Sequence, residues 1–201
     1  MSTVKKTTLR TVQLGLLSAI ILLLQQIVIP LPGGLSLSLV LIPIVVGAVL
    51  YGPAAGALLG GVFGAAVSVM AIQGQLGLLT NMMVAYDPVV TVAVCMLKGV
   101  AAGFMAGLVA RGLNQRPFVG IVLAAAVAPI VNTGIFLLGM LTVFRSVMME
   151  FAAGLGMGDA GALYFAVVVL VGVNFIVEFA ANLILAPAVS SIVKAVRKIG
   201  R

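Results

Sequence analysis

The sequence predicts an all-α integral membrane protein, a six-transmembrane-helix bundle forming one domain over residues 1–201. Composition comes first: 63% of the residues are hydrophobic and 7% charged, with a mean hydropathy of +1.35, well beyond the apolar share of roughly half in soluble domains. The apolar runs are continuous rather than alternating, which selects helices over a closed barrel for a chain whose backbone polar groups must be satisfied inside hydrocarbon. Six spans of about 20 residues each already take more than half of the chain, leaving no room for a soluble domain.

The first helix is expected over about 9–29, ended by Pro30 and by Pro32, Gly33 and Gly34, since proline removes a backbone donor and glycine frees the turn. Lys5, Lys6 and Arg10 precede it as they would precede a signal peptide. The apolar run exceeds an h-region of about 7–15 residues and no A-x-A site follows, so a span is the better reading. A short second helix (about 37–50) and a third (about 54–72) are separated only by Tyr51, Gly52 and Pro53. Helices over about 88–110, 118–141 and 162–190 complete the six, the last extending past the bilayer or kinking near Pro187.

With this count the N-terminus, the Tyr51 turn, the 111–117 loop and the C-terminus share one side. That side carries Lys5, Lys6, Arg10, Arg111, Arg116, Lys194, Arg197, Lys198 and Arg201, against Arg145 alone on the other. The positive-inside rule then makes both termini cytoplasmic. The net charge of +7 is thus a topology signal, not a nucleic-acid footprint, and the basic 194–201 tail is placed to meet anionic lipid headgroups.

Several chemistries are excluded. With no His and a single Cys95, neither a His/Cys metal site nor an internal disulfide can form. No G-x-x-x-x-G-K-[ST] is present, so any ATP drive needs a partner. There is no G-x-S-x-G or H-E-x-x-H, and the four carboxylates are too scattered to hold Mg²⁺, which weighs against a membrane enzyme. No cofactor is expected.

Gly56, Gly60 and Gly64 recur at every fourth position of the third helix, and Gly99, Gly103 and Gly107 do so in the fourth. Such stripes let backbones approach closely. The segments 51–60 (Y-G-P-A-A-G-A-L-L-G) and 98–107 (K-G-V-A-A-G-F-M-A-G) also echo each other 47 residues apart. An ancient repeat is one explanation; convergent close packing is the preferred one.

Ionisable groups inside spans are functional candidates, because a charge at the bilayer centre costs about 2.5–3.5 kcal/mol on insertion scales. Lys98 lies eleven residues into the fourth helix, and Glu178 lies within the sixth, flanked on one face by Asn174 and Asn182. Asn132 and Thr133 follow Pro129 in the fifth helix, with Phe136 one turn beyond Asn132. Three helices therefore point polar groups at one depth. Either Lys98 and Glu178 neutralise each other while the amides bridge helices, or the same groups receive a small polar ligand, and the two roles are compatible. Outside, the 73–87 loop offers Gln73, Gln75, Asn81, Tyr86 and Asp87, the 142–161 loop offers Arg145, Glu150 and Asp159, and the 30–36 loop is a third candidate cover. Ordinary solvation explains each of these residues singly; long loops on one side are where a lid would sit.

The segments 40–60 (V-L-I-P-I-V-V-G-A-V-L-Y-G-P-A-A-G-A-L-L-G), 128–140 (A-P-I-V-N-T-G-I-F-L-L-G-M) and 174–188 (N-F-I-V-E-F-A-A-N-L-I-L-A-P-A) resemble substrate-specific S subunits of energy-coupling-factor (ECF) importers, over nearly the whole chain. The second and third are most similar to the pantothenate-type group. The resemblance implies a six-helix subunit in the plasma membrane of a prokaryote that captures a vitamin from outside with its outer loops and helices 4 to 6. It also implies partners, a transmembrane coupling subunit and two cytoplasmic ATPases, with the S subunit toppling in the membrane to deliver substrate. That family meets its coupling subunit through small residues on helix 1, commonly A-x-x-x-A; the nearest match here is Gly15 with Ala19, beside Ser18. For pantothenate, an anion, the donors to its carboxylate would be Lys98, Asn132, Thr133 and Arg145.

A self-sufficient secondary transporter or channel using Lys98 and Glu178 as an ion relay is the main alternative, and a scaffold without ligand is a third.

Overall fold

The computed structural model describes the backbone of residues 3–27, 29–31, 35–37 and 39–199. Among them, α1 (Thr3–Gln26) leads into a hairpin of β1 (Ile29–Leu31) and β2 (Leu35–Leu37), then α2 (Leu41–Tyr51) and α3 (Pro53–Ile72). There follow α4 (Leu78–Tyr86), α5 (Pro88–Gly112), α6 (Pro117–Leu141), α7 (Arg145–Gly154), a single turn α8 (Ala162–Tyr164), a π-helical turn over Phe165–Leu170, and α9 (Gly172–Ile199).

Five of these helices are long and apolar enough to cross a membrane. The 11-residue α2 is about 16 Å long and cannot cross a hydrocarbon core of about 30 Å by itself. Of the six helices expected, five are spans by length and apolarity, and the second is this short helix. α2 nonetheless sits deepest: Leu41, Ile44, Val45 and Ala48 are all buried, and α2 packs on α1, α3, α5, α6 and α9.

Three expectations are corrected. First, within an otherwise all-helical fold, α1 stops at Gln26 rather than near 29, and the chain enters a short hairpin pairing Ile29 with Leu37 and Leu31 with Leu35. β-Branched Ile27 and Ile29 ahead of Pro30 favour extended backbone over another helical turn. The turn expected at Pro32, Gly33 and Gly34 lies outside the described residues. Second, the intervals 73–87 and 142–161 are not plain loops: each folds a helix, α4 and α7, and these pack on one another. Buried Met83, Met140, Phe144, Val147, Met148 and Phe165 form an apolar cluster there, separate from the core around α2. Third, the last helix is interrupted. β-Branched Val167, Val168 and Val169 fall in the π-helical turn, and a Cβ on Gly172 would stand 3.1 Å from the Val167 carbonyl, a tight contact where the chain re-enters α-helix. Pro129 and Pro187 lie inside continuous helices.

Helix starts follow local chemistry. α3, α5 and α6 each begin on proline, whose missing N–H would be unpaired at that position anyway. The Asp87 carboxylate caps α5 by accepting from the Val90 N–H at 2.9 Å. Gly52, at φ +87°, ends α2 and turns the chain straight into α3.

The two glycine stripes meet each other. A Cβ on Gly56 would overlap the Gly103 carbonyl, one on Gly60 the Gly99 carbonyl, and the reciprocal substitutions would do the same; a Cβ on Gly64 would stand 2.8 Å from the Cys95 oxygen. α3 and α5 therefore run antiparallel, backbone on backbone. Gly107 continues the contact, its Cβ position lying 2.6 Å from Pro53 Cα, so the α2–α3 turn and the end of α5 share one end of the bundle. Close packing thus accounts for the paired glycine spacing.

Gly60→Ala and Gly103→Ala should each destabilise the protein by about 1–3 kcal/mol or more, since backbone carbonyls cannot retreat as side chains can. Gly15→Ala, with open space around it, should be near neutral. Thermal unfolding in detergent checks this, and equal melting temperatures for all three variants would count against the glycine contact.

Candidate functional site

Three long helices bring candidate residues to a similar depth below the α4/α7 end: Phe63 is nine residues down α3, Lys98 ten down α5 and Asn132 nine down α6, about 14–15 Å along each helix, while Glu178 lies six residues into α9, after α8 and the π-helical turn. Side chains of an α-helix tilt toward its N-terminus. The N-terminus of α5 faces the α4/α7 end, so Lys98 is carried toward Phe136, which lies higher on α6.

The Lys98 ammonium lies 5.6 Å from the Phe136 ring centroid and 5.8 Å from that of Phe63. Two aromatic faces stand where water would otherwise solvate the charge. Glu178 is buried and close enough to feel the charge of Lys98. Among the described residues, however, the two form no direct ion pair and no hydrogen bond reaches the ammonium. On α9, Asn182 Nδ2 donates to the Glu178 backbone carbonyl at 2.8 Å.

Hydrogen-bonding capacity is left over in this region. Asn132 is buried and its Oδ1 has no partner among the described residues, nor has Asn182 Oδ1. An unsatisfied buried polar atom costs about 1–3 kcal/mol, and folded proteins leave few of them. Among the described residues the Lys98 ammonium donates no hydrogen bond, and the Asn132 and Asn182 side-chain oxygens accept none; these are the types of group that bind small polar ligands.

The other candidates stand elsewhere. Asn174 is half-buried one turn before Glu178 on α9. Thr133 is buried but faces a different way from Asn132, lining an apolar groove of about 290 Å³ with Gly134, Val171 and Phe175. On the cap, exposed Asn81 lies against the Gly74 turn, Tyr86 packs edge-on to Phe144 at 6.0 Å, and Arg145 is exposed at the start of α7. Lys98 and Phe136 are thus brought together, with Glu178 within electrostatic reach, whereas Asn81, Tyr86 and Arg145 belong to the cap above. On α1, Gly15 and Ala19 are exposed and Ser18 half-buried, on a helix that buries little of its surface.

Phe63 is the residue that sequence reasoning missed. Its signal was the glycine register: with Gly60 opposite Gly99 and Gly64 opposite Cys95, the antiparallel pairing puts Phe63 across from the turn that bears Lys98.

A model of the family described as ECF transporter, substrate-specific component, matches residues 9–190. The chain belongs to that family. As an S component it is a transport subunit of a multi-pass membrane protein family, not an enzyme, and its family implies a substrate and ECF partner subunits. No curated protein matches it significantly.

Asn132→Leu should stabilise the unliganded S component by about 1–3 kcal/mol, by removing an amide whose oxygen is buried without a partner. A raised melting temperature is the expected readout; a fall would reveal a partner that the amide normally satisfies.

Proposed function

We propose that this S component captures a small water-soluble vitamin or vitamin precursor from outside the cell and is driven by ATP hydrolysis in partner subunits. The observation that carries the reading is Lys98: an ammonium held between the faces of Phe63 and Phe136 with no directly bound counter-ion among the described residues. Such a cation favours an anionic or carboxylate-bearing ligand. Pantothenate is the best candidate, supported by the resemblance of 128–140 and 174–188 to the pantothenate-type group. In this reading Lys98 meets the carboxylate, Asn132 and Thr133 with Asn174 and Glu178 supply further polar contacts, Phe136 packs on the apolar part, and Asn81, Tyr86 and Arg145 act from the cap.

The orientation follows from charge. Arg10, Tyr51 and Arg111 line one cavity at the end of the bundle opposite the cap, and placing that basic end in the cytoplasm puts both termini inside and α4 and α7 outside. The short α2 and the β-hairpin then complete a sixth crossing together. Irregular backbone is tolerated at membrane depth where protein surrounds it or it lines a cavity, and Val40 and Leu41 at the junction are almost wholly buried. Gly15, Ser18 and Ala19 would form the docking face for the transmembrane coupling subunit, which links the S component to two cytoplasmic ATPases.

The buried Glu178, acted on by Lys98 but not directly paired with it, favours one competing reading, an autonomous carrier with an ion relay. Alone in liposomes, an S component binds substrate without accumulating it, whereas such a carrier accumulates it on an ion gradient.

A thermal-shift screen of the purified protein against B vitamins and their precursors should single out one ligand, pantothenate by this reading. Lys98→Ala should then weaken that ligand at least about tenfold, the order of one charge-assisted hydrogen bond; unchanged affinity would reduce Lys98 to a structural cation. Ala19→Trp should leave binding intact and abolish uptake in cells, and normal uptake would remove α1 from the docking surface.

A further inference from the structure

At the end of the bundle opposite the cap, a cavity of about 730 Å³ opens between the start of α1, the α2–α3 turn and the end of α5, and Arg10, Tyr51, Phe104, Arg111 and Asn114 are among its walls. The Arg10 guanidinium lies over the Tyr51 ring, 5.7 Å from its centroid, and the Tyr51 hydroxyl donates to Gln13 Oε1. Arg10 is thus held against the cavity wall rather than left to swing in solvent. A second cavity of about 410 Å³ adjoins it, walled by Arg111, Asn114, Gln115 and Arg116.

Among the described residues, no acidic side chain lines either cavity. The sequence holds four carboxylates, and all lie elsewhere: Asp87 caps the far end of α5, Glu150 is on α7, Asp159 follows it, and Glu178 is within α9. Asp87 and Arg111, at opposite ends of α5, are about 36 Å apart along it. An anion from outside would complete the charge of these cavities.

An apolar groove of about 400 Å³ meets the basic cavity, since Leu50 lines both. It runs along α1 from Gln13 through Leu17 and Ile20 to Leu24, against α2, with Ile192 and Val196 of α9 on its far side. Gln13 to Leu24 covers about 16 Å of helix, about half of a hydrocarbon core of about 30 Å, which is the depth of one leaflet.

We propose that this composite site binds one anionic phospholipid of the inner leaflet, with Arg10 and Arg111 on the phosphate and an acyl chain in the α1/α2/α9 groove. Guanidinium groups match phosphate oxygens in fork geometry, and each basic group near an anionic headgroup contributes about 1 kcal/mol. A free anion would use the arginines but leave the groove unused; a neutral lipid would do the reverse. The site is independent of the transported substrate.

Native mass spectrometry of the full chain in detergent, with dioleoyl phosphatidylglycerol against dioleoyl phosphatidylcholine, tests this. The expected result is a preference for one phosphatidylglycerol of at least about fivefold, from the two arginines. Arg10→Gln with Arg111→Gln, both exposed positions, should reduce that preference to below about twofold. Ile20→Trp, which fills the groove, should weaken both lipids. Retained helicity and elution volume show that the variants are folded, and Arg10→Lys with Arg111→Lys should restore part of the preference. Equal binding of the two lipids, a preference surviving in the double arginine variant, or thermal stabilisation by inorganic phosphate equal to that by phosphatidylglycerol would each overturn the proposal.

Discussion

Gly56, Gly60 and Gly64 of α3 lie against Gly103, Gly99 and Cys95 of α5 with no side chain between the two backbones. Inside a bilayer no hydrophobic drive pulls helices together, because lipid tails are as apolar as leucine; close packing has to supply the association. This contact fixes the distance, direction and register of two helices at once. The register sets Phe63 beside Lys98, and the continuation through Gly107 brings Pro53, and with it the end of α2, against the end of α5. The candidate site and the basic cavity are thus at opposite ends of one rigid helix pair.

Lys98 shows how such a frame carries a charge. Holding an ammonium in the middle of a span costs about 2.5–3.5 kcal/mol. A cation over an aromatic face gains about 0.5–2 kcal/mol, and at 5.6 and 5.8 Å the two ring contacts of Lys98 are near the outer limit of that range. They offset part of the cost. A direct Lys98–Glu178 ion pair would satisfy both charges and leave nothing for a ligand. Near but unpaired, they keep the capacity on which the proposed anion binding rests.

Much of this was legible in the sequence because membranes impose few solutions. Continuous apolar runs located α3, α5 and α6 to within a few residues, and the i, i+4 glycines announced the closest helix pair. The failures have physical causes. Helix 1 was carried too far because an apolar β-branched stretch satisfies a hydrophobic-run criterion whether it is helical or extended. α4 and α7 read as loops because their apolar residues bury against each other in a local cluster around Met148 and Phe144, a tertiary partner that no single segment reveals. Thr133 was grouped with Asn132 by adjacency, although neighbouring helical positions diverge by about 100°, and only Asn132 combines burial with an unpaired oxygen. Phe63 carried no polar mark, so only the pairing of two helices could expose it.

The division of the molecule into ends separates tasks that would otherwise interfere. The candidate site lies beneath a cap whose packing is largely methionine and phenylalanine, residues that adapt their contacts at modest cost. The opposite end is arginine-rich, and no carboxylate lines its cavity, so its energy depends on what charge lies outside the chain. α1 joins the two: Ile21 is buried against the core, Val12, Leu16, Leu22 and Leu23 are exposed, and Gly15 and Ala19 leave the outward face smooth. A helix with so little of its surface committed to its own bundle can exchange lipid for protein along that face without disturbing the glycine-locked pair behind it. The proposed docking through α1 is therefore compatible with an unchanged packing around Lys98.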